Sequence, residues 1–145
     1  MAEVAYTVID YRVFSEAAES VAPVEMAPWV PIQESAGSKR GQTYMSASGD
    51  KLPNLGEKKL EIMTTEGQAA TATFQCADVT RALCSVSKVC DKGNKVIFEA
   101  SGGFIESPEG VRTHFRRENN VYILDMFALE PACQEQSDFA RLSSK

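Results

Sequence analysis

The stretch KLEIMTTEGQAATATFQCA (residues 59–77) alternates polar and apolar side chains on both sides of a Glu-Gly-Gln turn at residues 66–68. A period of two places every second side chain on the same face of a strand. The central glycine can adopt the positive φ that a tight turn requires. The stretch therefore predicts a β-hairpin that buries one face and exposes the other.

The flanking sequence predicts three more hairpins of the same kind. β-Branched and aromatic residues dominate residues 4–14, which predicts one or two further strands before them. Because the turn signals are short and closely spaced, we expect a mainly β domain, either a compact barrel or a sandwich. The three hairpins are residues 42–47 with 51–55 around Ser48, Gly49 and Asp50, residues 95–100 with 104–106, and residues 111–115 with 121–127.

One segment has a helical rather than a strand pattern. Residues 78–90 carry apolar side chains three and four positions apart, and Gly93 follows shortly after, as at many helix ends. Residues 34–41 are small and polar, which is typical of a loop. We therefore predict a compact β barrel or sandwich built from hairpins, with one short helix.

Length and charge limit the domain organisation and the partners. The 145 residues, 43% of them hydrophobic, suit one domain. We assign residues 1–127 to this β domain and residues 128–145 to a polar C-terminal tail. A net charge of -5 disfavours nucleic acid as a partner, and no run of residues has the length and hydropathy of a membrane-spanning segment. Basic pairs such as Lys58-Lys59 are expected on solvated faces.

The cysteines do not have the spacing of a structural zinc site, and His114 is the single histidine of the sequence. We therefore predict neither a metal nor another cofactor. Cys76, Cys84 and Cys90 lie among apolar residues, where free cysteines act as small buried groups. Thiols of this kind suit a reducing intracellular compartment.

Five stretches in the same order carry a resemblance to a known family. They are SEAAESV (residues 15–21), ASGDKLPNLG (47–56), ADVTRALCSVSKVCDKG (77–93), KVIFEASGGFIE (95–106) and NVYILD (120–125). Taken together, they resemble the retropepsin-like aspartic protease domain of copia-type retrotransposon polyproteins. The resemblance extends over about residues 4–127.

The resemblance implies a small closed β barrel whose flap hairpin covers a cleft. Residues 44–55, around Ser48, Gly49 and Asp50, would form this flap. It also implies a homodimer in which each chain supplies one catalytic aspartate. Two carboxylates held close together cannot both ionise, so one acts as an acid while the other activates water.

The catalytic Asp-Ser/Thr-Gly triplet of that family is degenerate here. Aligned without gaps, its positions hold Phe14, Ser15 and Glu16. Phe14 has no carboxylate, and Glu16 replaces a glycine whose missing Cβ permits the tight turn. A second alignment gives the catalytic role to Asp10 and treats residues 11–14 as an insertion, but Glu16 still replaces the glycine.

Two functions follow from the resemblance. The first is a non-catalytic retropepsin-like protein that acts as a structural or accessory binding subunit of a larger protein assembly. Such an assembly in an organelle, for instance a photosystem or a ribosome, is one setting that this hypothesis allows. The alternative is a homodimeric aspartic endopeptidase that uses Asp10.

Overall fold

The computed structural model describes residues 7–14, 19–46 and 48–131, and of residues 7–10 and 14 only the backbone. Eleven strands and two short helices occupy these ranges. The strands are β1 (Thr7–Phe14), β2 (Val21–Pro23), β3 (Thr43–Met45), β4 (Lys51–Pro53), β5 (Gly56–Met63), β6 (Ala69–Ala77), β7 (Ala82–Leu83), β8 (Lys95–Glu99), β9 (Gly102–Glu106), β10 (Arg112–Glu118) and β11 (Val121–Glu130), and the helices are α1 (Ala36–Lys39) and α2 (Val86–Asp91).

Six strands close into a barrel in the order β1-β7-β2-β6-β5-β11, because β11 also pairs with β1. The closing ladder is antiparallel and runs from Thr7 opposite Glu130 to Phe14 opposite Ile123. The core inside the barrel consists of apolar side chains with almost no exposed surface. Its members include Val13, Ala22, Met26, Leu60, Phe74 and Met126. The predicted mainly β fold and the closed barrel are therefore confirmed.

Three further strands extend the sheet beyond the barrel. β10 pairs with the start of β11, β9 pairs with β10, and β8 pairs with β9. We call β8, β9 and β10 the extension. Among the described strands, β8 has a neighbour on one side and leaves its other edge free.

The β3–β4 hairpin forms a separate two-stranded sheet, as its sequence predicts. Asn54 joins the end of this hairpin to the barrel. Its Nδ2 donates hydrogen bonds to Tyr44 Oη at 3.1 Å and Gln75 Oε1 at 2.9 Å, and its Oδ1 accepts one from Gly56 N at 2.9 Å. Asn54 is buried, so this network fixes the base of the hairpin against β6.

Two local predictions were wrong. Residues 34–41 contain α1 rather than only a loop, because Ser35 and Ser38 form a reciprocal capping box. The helix expected over residues 78–90 is confined to α2, which begins after its N-cap Ser85. Ala82 and Leu83 instead form β7, which joins β1 to β2 and completes the barrel. The pairing available in the barrel outweighs the local helical pattern.

The end of the barrel differs slightly from the expected boundary at residue 127. Strand β11 continues to Glu130, and Ala128 within it is fully buried. Residues 132–145 of the polar tail lie outside the described residues.

Candidate functional site

Two of the residues considered for the catalytic position, Asp10 and Phe14, lie in strand β1. Asp10 is the fourth of the eight residues of β1, and its backbone lies opposite Phe127 of β11. Phe14 ends the strand between Leu83 of β7 and Ile123 of β11. Ser15 and Glu16 lie outside the described residues. The backbone of Asp10 is therefore part of a continuous ladder, four residues before the strand ends.

The predicted flap is the exposed turn of the β3–β4 hairpin. The Ser48 hydroxyl bonds with Ser46 Oγ at 2.9 Å and donates to Asp50 Oδ2 at 3.0 Å. Gly49 has a φ of +88°, which glycine adopts readily because it has no Cβ. Met45, the last residue of β3 before the turn, is 71% exposed. The turn is stabilised by its own side chains.

His114 contacts a carboxylate from a distant turn. Its Nδ1 lies 2.8 Å from Glu66 Oε2, and its backbone N–H donates to the same oxygen at 3.0 Å. Burial raises the pKa of Glu66, but the hydrogen bonds from His114 and Thr65 outweigh it, so the net pKa is lowered. The pair joins the β5–β6 turn to the extension, which is a structural role.

Charged side chains link the extension to the barrel on one face. Arg116 Nε donates to Asp125 Oδ2 at 2.8 Å, and Arg12 lies 2.9 Å from Glu118. Arg116 also bonds Glu118. The hydrogen bond that Glu118 accepts from Arg116 lowers the pKa of Glu118, and the hydrogen bonds that Arg116 donates to Asp125 and Glu118 raise the pKa of Arg116. These exposed pairs orient β1, β10 and β11 but are screened by salt.

Between α2 and the extension lies an apolar groove. Its walls include Val86 and Val89 of α2, Val96 and Phe98 of β8, Ile105 of β9 and Leu124 of β11. We call this surface the apolar groove. The groove is small, with a free volume of about 30 Å³. Phe98, one of its lining residues, is 44% exposed, and Ile97, next to it on β8, is 39% exposed.

An aromatic cluster holds β8 in place at this groove. The ring centroid of Phe98 lies 5.3 Å from that of Phe115 and 4.8 Å from that of Tyr122. Phe115 packs so closely on Gly103 that an added Cβ there would lie 2.6 Å from Phe115 Cζ. The Tyr122 hydroxyl donates to Glu99 O at 2.9 Å. The C-terminal end of β8 is thus anchored, while 44% of the Phe98 surface remains exposed.

The free edge itself is the unusual feature of the molecule. An edge strand presents unpaired backbone N–H and C=O groups that another strand can use. Natural edges are usually blunted by prolines, bulges or inward-pointing charges. β8 has the sequence KVIFE, with charges only at its two ends and three consecutive large apolar residues between them. This run breaks the alternation of polar and apolar residues expected for a strand with one solvent-exposed face. It is the sequence feature that indicates an apolar edge at β8.

No three His, Cys, Asp or Glu side chains come together as a metal site in the described ranges. No helix within those ranges has the length and hydropathy needed to cross a membrane. Cys76 is buried and Cys84 partly buried, whereas Cys90 is exposed, contrary to the prediction for that residue.

Comparison with protein-family models, with curated proteins and with solved structures finds no match to this chain. The fold and the surface together define a small closed β barrel that carries a sheet extension with a free, apolar edge.

Proposed function

We propose that this chain is a non-catalytic retropepsin-like barrel that serves as a structural or accessory protein-binding subunit of a larger assembly. The observation that carries the proposal is the free edge of β8 beside the apolar groove, where Ile97 and Phe98 are both exposed. Half-exposed aromatic side chains at the rim of an apolar groove are typical anchors of protein interfaces.

The chemistry of this surface suits an extended segment of protein. A strand that joins a free edge gains affinity from backbone hydrogen bonds, and its alternate side chains gain specificity from neighbouring pockets. Here the edge supplies the backbone groups, and the exposed part of Phe98 supplies apolar contact area. Because the aromatic cluster holds β8 in position, little ordering is required on binding.

The surroundings of strand β1 support the non-catalytic part of the proposal. In the family that the chain resembles, the catalytic aspartate lies in a turn at the end of the first strand. Asp10 lies within the β1–β11 ladder, and the end of β1 is occupied by Phe14. A shift of the reacting group by even one ångström is costly for catalysis.

The thiols support a reducing intracellular compartment, which is part of the same proposal. Cys76, Cys84 and Cys90 are free thiols in the described part of the chain, which is usual for proteins of reducing compartments. An assembly within an organelle is compatible with such a compartment.

A cleavage assay and a capture assay test the proposal together. We expect no peptide cleavage by wild type or by Asp10→Asn between about pH 3 and 7, the range in which paired carboxylates act. In extracts of the cells that express the protein, wild type and Ile32→Ser should retain the same partner, while Ile97→Lys and Phe98→Ser lose it. Ile32 is a matched control because it is 37% exposed and lies outside the extension.

Cleavage that is present in wild type and lost in Asp10→Asn would establish the endopeptidase instead. A partner that Ile97→Lys retains would show that binding uses another surface. Ile97→Lys is the cleaner of the two edge variants, because Phe98 also stabilises the aromatic cluster. Thermal melting of each variant checks that the barrel remains folded.

A further inference from the structure

Strand β8 has a sequence that is complementary to itself when reversed. It reads Lys95-Val-Ile-Phe-Glu99, with opposite charges at its two ends and an isoleucine at its centre. Placed antiparallel against a second β8 with the two Ile97 residues opposite each other, Lys95 of each strand faces Glu99 of the other. Val96 faces Phe98 in the same way. Opposite charges and apolar pairs at facing positions are the pairs that stabilise a sheet.

We propose that the free edge of β8 binds a second copy of this chain, with Ile97 on the twofold axis. This inference rests on the proposed function and names the partner of the same edge. The two extensions would then form one continuous sheet across the dimer, and the contact would be isologous, as in most symmetric dimers.

The backbone fits this register whichever groups point outward. In an edge strand, alternate residues direct their N–H and C=O groups away from the sheet. Because Ile97 faces Ile97 of the second copy, each odd-numbered residue of β8 lies opposite an odd-numbered residue. Each even-numbered residue likewise lies opposite an even-numbered one. The outward groups of one copy therefore meet the outward groups of the other, and each facing pair of outward-pointing residues can exchange two hydrogen bonds, while the pairs between them do not bond.

The side chains fit as well, because opposite residues of paired strands point to the same face. Val96 and Phe98 both line the apolar groove and so share one face of β8, which places Val96 of each copy against Phe98 of the other on that face. The exposed surfaces of Ile97 and Phe98, 39% and 44% in the single chain, would be covered. Burial of apolar surface together with the backbone hydrogen bonds favours association.

This dimer differs from the one that the family resemblance implies. The family pairs two catalytic triplets, which correspond to the end of β1. In the sheet order, β11, β10 and β9 separate β1 from β8. Variants at β8 therefore test this interface without touching the other.

Sedimentation of charge variants tests the proposal. In Glu99→Lys, a lysine faces Lys95 of the second copy at two symmetric places, and the dimer Kd should rise about 10-fold or more. The exchange variant Lys95→Glu with Glu99→Lys restores both opposite-charge pairs, so its Kd should return to within about 3-fold of wild type. Glu109→Lys is the matched control, because it makes the same charge change in the exposed turn after β9 and should leave the Kd unchanged.

A cross-linking experiment fixes the register. In a background of Cys90→Ser and Cys133→Ser, Ile97→Cys should form a disulfide-linked dimer under mild oxidation. Facing Cα atoms in an antiparallel pair lie about 4.5–5.5 Å apart, within the range of a disulfide. Glu109→Cys in the same background should remain monomeric on a non-reducing gel.

The proposal is overturned if wild type sediments as a monomer at about 100 μM, well above a micromolar Kd, or if Ile97→Cys cross-links no better than Glu109→Cys. If wild type is a monomer and Ile97→Lys still loses the cellular partner, the dimer proposal is wrong but the proposed function stands. If wild type is a dimer and both wild type and Ile97→Lys capture the same cellular partner, the dimer proposal stands. The edge of β8 then does not bind that partner, and the proposed function of the edge is wrong.

Discussion

Lys58 is a buried cation in the barrel wall, with 4% of its surface exposed. Its Nζ donates hydrogen bonds to the carbonyl oxygens of Val24 at 2.8 Å, Met26 at 2.9 Å and Ala27 at 3.3 Å. Ala27 has a φ of +50°, which is uncommon for a residue with a Cβ. An ammonium has three donors and no acceptor, so the three carbonyls use its full capacity. The lysine thus holds the strained turn after β2 on the barrel.

Lys58→Met should lower the free energy of unfolding by about 2–4 kcal/mol, because it keeps the apolar stem and removes the donor from buried carbonyls. Ala27 O retains the hydrogen bond from Val30 N, whereas the carbonyls of Val24 and Met26 lose the ammonium. Urea denaturation measures the change. Lys59→Met is the control, since Lys59 is exposed, and should change stability by less than about 0.5 kcal/mol. Equal losses in both variants would contradict this role.

Sequence patterns predicted the long elements well and the short ones poorly. The β5–β6 hairpin follows from period-two alternation around Gly67, whose φ is +81°. β7 has only two residues and forms because β1 and β2 lie on either side of it, which no local pattern records. The pair Lys58-Lys59 was expected in solvent, and this was wrong for Lys58, because its burial depends on a turn some thirty residues earlier in the chain.

The candidate site at β8 was predictable only in part, because its strand has a local sequence pattern but its position in the sheet does not. The hairpins that supply the flap turn and β8 were predicted from their turns and strands. That β8 lies at the edge of the sheet depends on the order in which distant strands pair, and that order is a property of the whole barrel. The run of Val96, Ile97 and Phe98 was visible in the sequence, but a buried strand has the same run.

The contact between Glu66 and His114 makes one element of the fold sensitive to acid. Because the pKa of Glu66 is lowered in the folded chain, its ionised form stabilises the fold above the usual pKa of 4.5. That contribution is lost as the pH falls through the lowered pKa that Glu66 has in the folded chain. Wild type should therefore be more stable than Glu66→Gln at pH 6, and the difference should shrink below about pH 4.5.

Chemical denaturation of both proteins across this pH range measures the effect. Glu61→Gln serves as the control, because Glu61 is exposed on β5 and has no ion pair within the described residues. Its stability relative to wild type should not vary with pH in the same way. A constant difference between wild type and Glu66→Gln at all pH values would mean that the carboxylate charge does not matter.

At the scale of the whole molecule, the barrel and the extension differ in how they meet solvent. The barrel closes on itself through β1 and β11 and encloses Cys76, which has no exposed surface. The extension ends in a free edge, and Cys90 of the neighbouring helix α2 is exposed. Cys76 therefore reports on the barrel and Cys90 on the surface of α2. The rates at which one alkylating reagent modifies them can be compared.

Iodoacetamide should modify Cys90 in the native protein and modify Cys76 only as the barrel opens. Burial raises the pKa of the Cys76 thiol, and alkylation requires both access and thiolate. Mass spectrometry of the separate peptides gives the two rates, and labelling in concentrated urea gives the rate for each unfolded thiol. If opening of the barrel is cooperative, Lys58→Met should speed the labelling of Cys76 at least about 10-fold while leaving that of Cys90 unchanged. Equal rates for the two thiols in the native protein would show that the barrel is open to solvent at Cys76.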